Sequence, residues 1–283
     1  MKIGIVGLGL IGGSLAIDWH PHHRIIGVSR SAETIRQALE AGIIEDGGAS
    51  LALLSGCEVI FICTPIDHVL SAIEALAAVV PTGTVLSDVA SVKGAIVPAA
   101  EALWPTFVGG HPMAGSAAQG LAAAQARLFV GRPYVFTPTA ATPKAALEVV
   151  AGLVGQLGAR IYYCAAAEHD RAVARISHLP VFVSAALLAN LEASGDALAA
   201  ELASSGFFDT SRVGGGNPQL GTAMAAWNRE ALLAELHRYR EQLAFFEQQI
   251  ALGEWQALEQ SLQRCQQVRR QIFAPPPATG DSG

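Results

Sequence analysis

The chain has 283 residues, of which 51% are hydrophobic and only 15% charged, with a formal net charge of −6. That balance is too apolar for a disordered chain, gives no electrostatic support for a nucleic-acid partner, and leaves length enough for a large core in one or two domains. So few charges on so apolar a chain also suit surface buried between subunits.

The first stretch, Lys2 to Val6, is β-branched and apolar, as in a strand buried on both faces. It runs into Gly7-Leu8-Gly9-Leu10-Ile11-Gly12 and then an apolar segment, Leu15 to Trp19, that suits a helix. Strand, G-x-G-x-x-G and helix in that order form a dinucleotide fingerprint. Gly7 permits the tight turn, Gly9 lets backbone approach a pyrophosphate, and Gly12 lets helix and strand pack closely. The unpaired N–H groups at the helix start face the phosphates. Gly7, Leu8, Gly9, Leu10, Ile11 and Gly12 are therefore the first cofactor-binding candidates. The next turn holds His20, His22 and His23. No Cys, Asp or Glu joins them locally, so a solvated turn is expected and no metal site.

Arg24 to Arg30 reads as a second strand. Its end decides between cofactors, since a carboxylate there would bind a ribose 2′-OH and repel a 2′-phosphate. Ser29-Arg30-Ser31 stands there instead, a cation between hydroxyls, and predicts NADP. Ser31 to Ala41 is a predicted helix with Ser31 as N-cap and Gly42 at its end. Glu58 to Cys63 is a third strand ending in Thr64-Pro65, and Ile66 to Val79 a helix. Thr84 to Ser87 is a fourth strand ending in Asp88, followed by a helix over Val92 to Leu103. Phe107 to Gly109 is a short fifth strand. Tyr134 to Thr137 and Arg160 to Tyr163 are further strands flanking a helix from Lys144 to Leu157. Such alternation predicts an α/β fold, a doubly wound parallel Rossmann sheet over residues 1–164. Ligands bind at the carboxyl ends of strands in open sheets, which brings Thr64, Pro65, Asp88, Ser91 and His111 toward one edge. His111, in the Gly-rich loop Gly109 to Ser116, is the acid–base candidate.

No convincing strand follows Cys164. A long helix is predicted from Glu168 toward Glu192, a shorter one over Asp196 to Ser205, and a Gly-rich irregular stretch over Phe207 to Pro218. Two long helices follow, Asn228 to Leu252 and Trp255 to Ile272, each with an apolar stripe at helical spacing. Residues 165–273 thus form an all-helical second domain, and the Pro-rich residues 274–283 a disordered tail. The apolar run after Leu179 is the nearest thing to a membrane span, but Asn190 and Glu192 end it early. The N-terminal apolar segment is broken by glycines, unlike a signal peptide. Cys57, Cys63, Cys164 and Cys265 form no CxxC pair and read as inert thiols of a cytoplasmic protein.

Several runs together carry a specific resemblance: Gly7 to Ser14, Asp88-Val-Ala-Ser-Val-Lys93, Gly110-His-Pro-Met-Ala-Gly-Ser116, Ser177-His-Leu-Pro180 and Asp209-Thr-Ser-Arg212. Over nearly its whole length the chain resembles the arogenate/prephenate dehydrogenases, and most of all the cyanobacterial-type NADP-using arogenate dehydrogenases. The resemblance implies that His111 accepts the proton of the ring 4-hydroxyl and that Ser91 orients the reacting groups. It implies that Arg212 binds a substrate carboxylate, and that His178 and Ser116 belong to the same pocket. It also implies a homodimer through the C-terminal helices, which the two apolar stripes support. The expected reaction is NADP-dependent oxidative decarboxylation of arogenate to tyrosine; the alternative is prephenate to 4-hydroxyphenylpyruvate. Two departures bear on that choice. Many prephenate-preferring members carry an acid where this chain has Ala117, and His where it has Val181. Neither a metal nor a nucleophile is required.

Overall fold

The computed structural model describes residues 1–115 and 118–274. Its main sheet is formed by β1 (Lys2–Val6), β2 (Arg24–Val28), β3 (Asp46–Gly48), β4 (Val59–Ile62), β5 (Val85–Asp88) and β6 (Phe107–Val108). All pairs are parallel, in the order β3-β2-β1-β4-β5-β6. The order reverses at β1, and the register brings Val6, Val28, Ile62 and Asp88 to one level at the carboxyl edge. A crevice opens at such a reversal.

The strands sort their side chains by alternation. Ile3, Ile5, Val59 and Phe61 join one core with Leu15, Trp19 and Val150, while Val6, Ile60 and Ile62 join the other with Val69, Ile73 and Val97. Most of these are fully buried, each stabilising the fold by about 1.5–3 kcal/mol. The helices that cover the sheet are α1 (Leu10–Trp19), α2 (Ala32–Glu40), α3 (Val69–Ala77), α4 (Ile96–Leu103) and α5 (Lys144–Gln156). The buried Trp19 indole N–H donates to Leu153 O at 3.1 Å, which ties α1 to α5. Ser31 caps α2 as expected, its Oγ accepting from Thr34 N at 3.2 Å.

Two strand expectations are corrected. The strands near 134 and 160 do not extend the main sheet. As β8 (Pro133–Phe136) and β9 (Arg160–Tyr163) they form a second sheet with β7 (Gly110–Pro112), of order β7-β8-β9, in which β7 runs antiparallel to β8. The His111 loop is therefore itself a strand, paired His111 to Val135. The short β3 has no apolar run to announce it and exists through its pairing with β2.

Beyond Cys164 the described residues are helical. A continuous helix comprises α6 (Ala166–Val173), a π turn at Ala174–His178, and α7 (Leu179–Ser194); α8 (Ala197–Glu201), α9 (Ser205–Ser211), α10 (Pro218–Trp227), α11 (Arg229–Ala251) and α12 (Trp255–Ile272) follow. The stretch expected to be irregular thus holds α9 and the start of α10. The start signal of α10 is visible in the sequence: Asn217 Oδ1 accepts from Gln219 N at 2.9 Å, with Pro218 at the first helical position. By length and composition alone the helix Ala166–Ser194 could cross a membrane, yet it buries His169, Asp170 and His178 in polar contacts.

The chain divides into two compact units, Met1–Leu232 and a second that begins at Leu233. The composition change at Cys164 marks a change of secondary structure, whereas the helices from 166 to 232 share a compact unit with the sheet. In the second unit the apolar stripes are largely uncovered: Leu243, Phe245, Ile250, Leu262, Val268 and Ile272 are all exposed. Of the expected tail, residues 274–283, residues 275–283 lie outside the described residues.

Candidate active site

The glycine turn performs three separate tasks. Gly7 has φ +96°, and a Cβ there would meet Cys63 O at 2.8 Å. A Cβ on Gly12 would sit 2.0 Å from Gly7 O. A Cβ on Gly9 would meet nothing within 4 Å, and Gly9 caps α1 without any side-chain hydrogen bond. Space for a phosphate and unsatisfied N–H groups at a helix start therefore coincide, and the residues present fit a dinucleotide.

From this turn a cleft of about 1250 Å³ runs along the carboxyl edge of the sheet. Gly7, Leu8, Gly9, Leu10 and Ile11 line it with Ser29, Arg30, Ser31, Thr64 and Pro65; Ser91, His111, Ser177, Val181 and Arg212 line it farther along. Among the described lining residues no Asp, Glu or Lys occurs, and Arg30 and Arg212 are the charged side chains. A cleft so lined favours anionic ligands.

His111 on β7 is buried, with only a small part of the ring reaching the cleft. Its Nδ1 lies 2.8 Å from His169 Nε2, the two rings edge-on at 76°. His169 Nδ1 in turn lies 2.8 Å from Asp170 Oδ1. The Asp170 carboxylate also accepts from Lys93 N at 2.8 Å and Gly94 N at 2.7 Å. Asn228 Nδ2 donates to the Asp170 backbone carbonyl at 2.8 Å. Burial holds the His111 imidazole well below its ordinary pKa, and the neighbouring His169, Lys93 and His178 add to the effect. It is neutral at physiological pH.

Two expected site residues lie elsewhere. Asp88 is fully buried and does not line the cleft. Its carboxylate pairs with the equally buried Lys93 and accepts from Ala90 N at 3.0 Å and Gly110 N at 3.1 Å. Lys93 Nζ also donates to Gly110 O at 2.8 Å. With its oxygens committed to these donors, Asp88 braces the residue preceding His111. His178 is also fully buried and is not part of the lining. Its Nδ1 lies 3.3 Å from Asn228 Nδ2, and burial pushes its pKa down to about 4. Within the π turn, Ile176 and Ser177 line the cleft while His178 is buried against Asn228.

Arg212 follows α9, where its loop packs close to α7. A Cβ on Gly214 would lie 2.2 Å from Ala185 N, and Gly214 N donates to the buried Ser184 Oγ at 2.7 Å. Only glycine allows this approach, which brings Arg212 to the cleft. Gly12 supports the turn from behind, without lining the cleft. Ser116 and Ala117 lie outside the described residues. His169, Asp170 and Lys93 escape a sequence reading. The first two read as a polar helix start, and Lys93 as one more helical residue, although an adjacent His-Asp pair is a signal that could have marked them.

A parallel sheet of this order, with a fingerprint turn at its switch point and a neutral histidine on the same edge, defines a nicotinamide-nucleotide dehydrogenase. The chain belongs to the prephenate dehydrogenase family. Residues 13–163 match that family's nucleotide-binding domain and residues 165–264 its dimerization domain. The chain is 35% identical over 241 residues to prephenate dehydrogenase of Bacillus subtilis, an alignment covering 81% of this chain and 64% of the relative, just under two thirds of its length. It is 47% identical to the crystal structure of Synechocystis arogenate dehydrogenase, with a TM-score of 0.83 over 96% of this chain and 100% of that one. It is 25% identical to Aquifex aeolicus prephenate dehydrogenase in complex with hydroxyphenyl propionate and NAD+, with a TM-score of 0.92 over 96% and 98% of the two chains.

Proposed function

We propose that the protein is an NADP-dependent arogenate dehydrogenase that converts arogenate to tyrosine and CO2. The observation that carries this reading is a single cleft lined by Arg30 among serines, by His111 with its depressed pKa, and by Arg212. The preference for arogenate is supported by the 47% identity to the Synechocystis enzyme. A second reading, prephenate to 4-hydroxyphenylpyruvate, is favoured by the absence of any carboxylate among the described lining residues to receive an amino group.

The nucleotide is held by the glycine turn and the start of α1, with Ser29, Arg30 and Ser31 toward a 2′-phosphate. Bound there, NADP+ supplies the hydride acceptor for ring C4. Arg212 grips a substrate carboxylate, and its planar fork can do so bidentately. His111 takes the 4-hydroxyl proton as hydride leaves, with Ser91 orienting the hydroxyl. Loss of CO2 then aromatises the ring, which makes the reaction effectively irreversible. Positioning and one neutral base are what the site must supply.

We also propose a cytoplasmic homodimer built on the C-terminal helices, supported by the match to a dimerization domain, the uncovered stripes and four free cysteines. Steady-state assays with arogenate and prephenate, each with NAD+ and NADP+, test the catalytic reading. The highest kcat/KM is expected for arogenate with NADP+. A higher value for prephenate with NADP+ selects the second reading, and a higher value with NAD+ overturns the cofactor assignment. Light scattering should give twice the chain mass.

A further inference from the structure

We infer that Asp170, acting through His169, sets the tautomer of His111 so that its Nε2 lone pair faces the cleft. The inference rests on the reading of His111 as the base. Asp170 receives two backbone N–H groups, Lys93 at 2.8 Å and Gly94 at 2.7 Å, one on each carboxylate oxygen. A carboxylate so surrounded is an acceptor, so the third group that reaches it, His169 Nδ1 at 2.8 Å, donates. In its neutral form His169 carries that proton on Nδ1 and leaves its Nε2 as a lone pair. That nitrogen lies 2.8 Å from His111 Nδ1, which must donate to it. His111 is therefore protonated on Nδ1 and unprotonated on Nε2, the nitrogen left for the cleft. Without this chain the imidazole could carry its proton on Nε2 and present a donor where an acceptor is needed. Asp170 is itself held from two sides: by the backbone N–H groups of residues 93 and 94 on its carboxylate and by Asn228 Nδ2 on its backbone carbonyl. His169 and Asp170 are thus positioning residues, and neither touches the substrate.

The test combines three variants with a direct reading of the tautomer. In ¹⁵N-histidine-labelled enzyme, long-range ¹⁵N–¹H correlations, assigned by His111→Asn, should find His111 protonated on Nδ1. His169→Phe keeps a ring but removes both hydrogen-bonding nitrogens, and should lower kcat by about 10²–10⁴-fold with little change in either KM. Asp170→Asn should act in the same direction. In His169→Gln the amide N–H donates to Asp170 and the amide oxygen accepts from His111, which preserves the polarity. It should keep kcat within about tenfold of wild type and keep His111 protonated on Nδ1. His111 protonated on Nε2 in the wild-type enzyme overturns the inference, whether or not any variant folds. So does wild-type kcat in His169→Phe, or a Gln variant as impaired as the Phe variant. If His111→Asn retains near-normal kcat, the assignment of the base fails instead, and the tautomer measurement still stands by itself.

Discussion

Lys93→Met probes the brace behind His111, the proposed base. Lys93 and Asp88 are both fully buried and paired, and Lys93 Nζ also donates to Gly110 O, next to His111 in sequence. Methionine matches the stem of lysine and removes only the cation. Breaking a buried ion pair by deleting one partner costs about 3–5 kcal/mol, because the remaining charge is uncompensated. Asp88 keeps two donors, Ala90 N and Gly110 N, which places the loss toward the lower end. The abandoned Gly110 carbonyl adds about 1–3 kcal/mol as an unsatisfied buried acceptor. A total near 4–6 kcal/mol follows, a large share of the roughly 5–15 kcal/mol that holds a typical folded domain. Urea titration at fixed protein concentration should register this loss, and kcat should fall because β7 loses its anchor ahead of His111. Adding Asp88→Asn removes the stranded charge and should recover about 2 kcal/mol or more. A single variant that costs less than about 1 kcal/mol, or a double variant no more stable than the single, would refute the role assigned to the pair.

Arg30→Ala should raise the KM for NADP+ about tenfold or more, a charged hydrogen bond being worth about 1.5–3 kcal/mol, and leave use of NAD+ unchanged. An equal loss for both cofactors contradicts the 2′-phosphate contact. Only deprotonated His111 can accept a proton, so kcat/KM should rise with pH through a value below the ordinary 6.5 and be flat near neutrality. A rising limb that persists in His111→Asn assigns it to another group. His178 remains neutral in the fold down to about 4 but takes up a proton near 6.5 when unfolded. Its stabilisation is complete above 6.5 and lost as pH falls toward 4, by about 3 kcal/mol in all. His178→Asn should flatten this part of the stability profile, and an unchanged acid slope in denaturant titrations would exclude His178 as its source.

The nucleotide end of the cleft is legible in the chain because it is local. Strand, glycine turn and helix occupy consecutive residues, and Ser29, Arg30 and Ser31 follow at a strand end whose direction the pattern determines. Short-range chemistry of this kind needs no knowledge of distant contacts. The same holds for the C-terminal helices, whose spacing announces the stripes, although only the folded chain reveals that most of the stripe residues lack cover.

The surroundings of His111 are different in kind. His111 stands out in the sequence by its loop, but His169, the group it leans on, lies 58 residues away, and Asp170, which anchors His169, is itself held by the backbone of residues 93 and 94, 76 residues or more away. Asp88 and His178 carry the right chemistry at plausible positions, yet one is consumed by Lys93 and backbone donors and the other is buried against Asn228. Sequence determines which residues can form strands, turns and helices, since those preferences act over a few neighbours. Which polar side chains end in the cleft and which brace it from behind is decided only when distant segments meet, because each buried donor or acceptor must find a partner there or forfeit the stability of the fold.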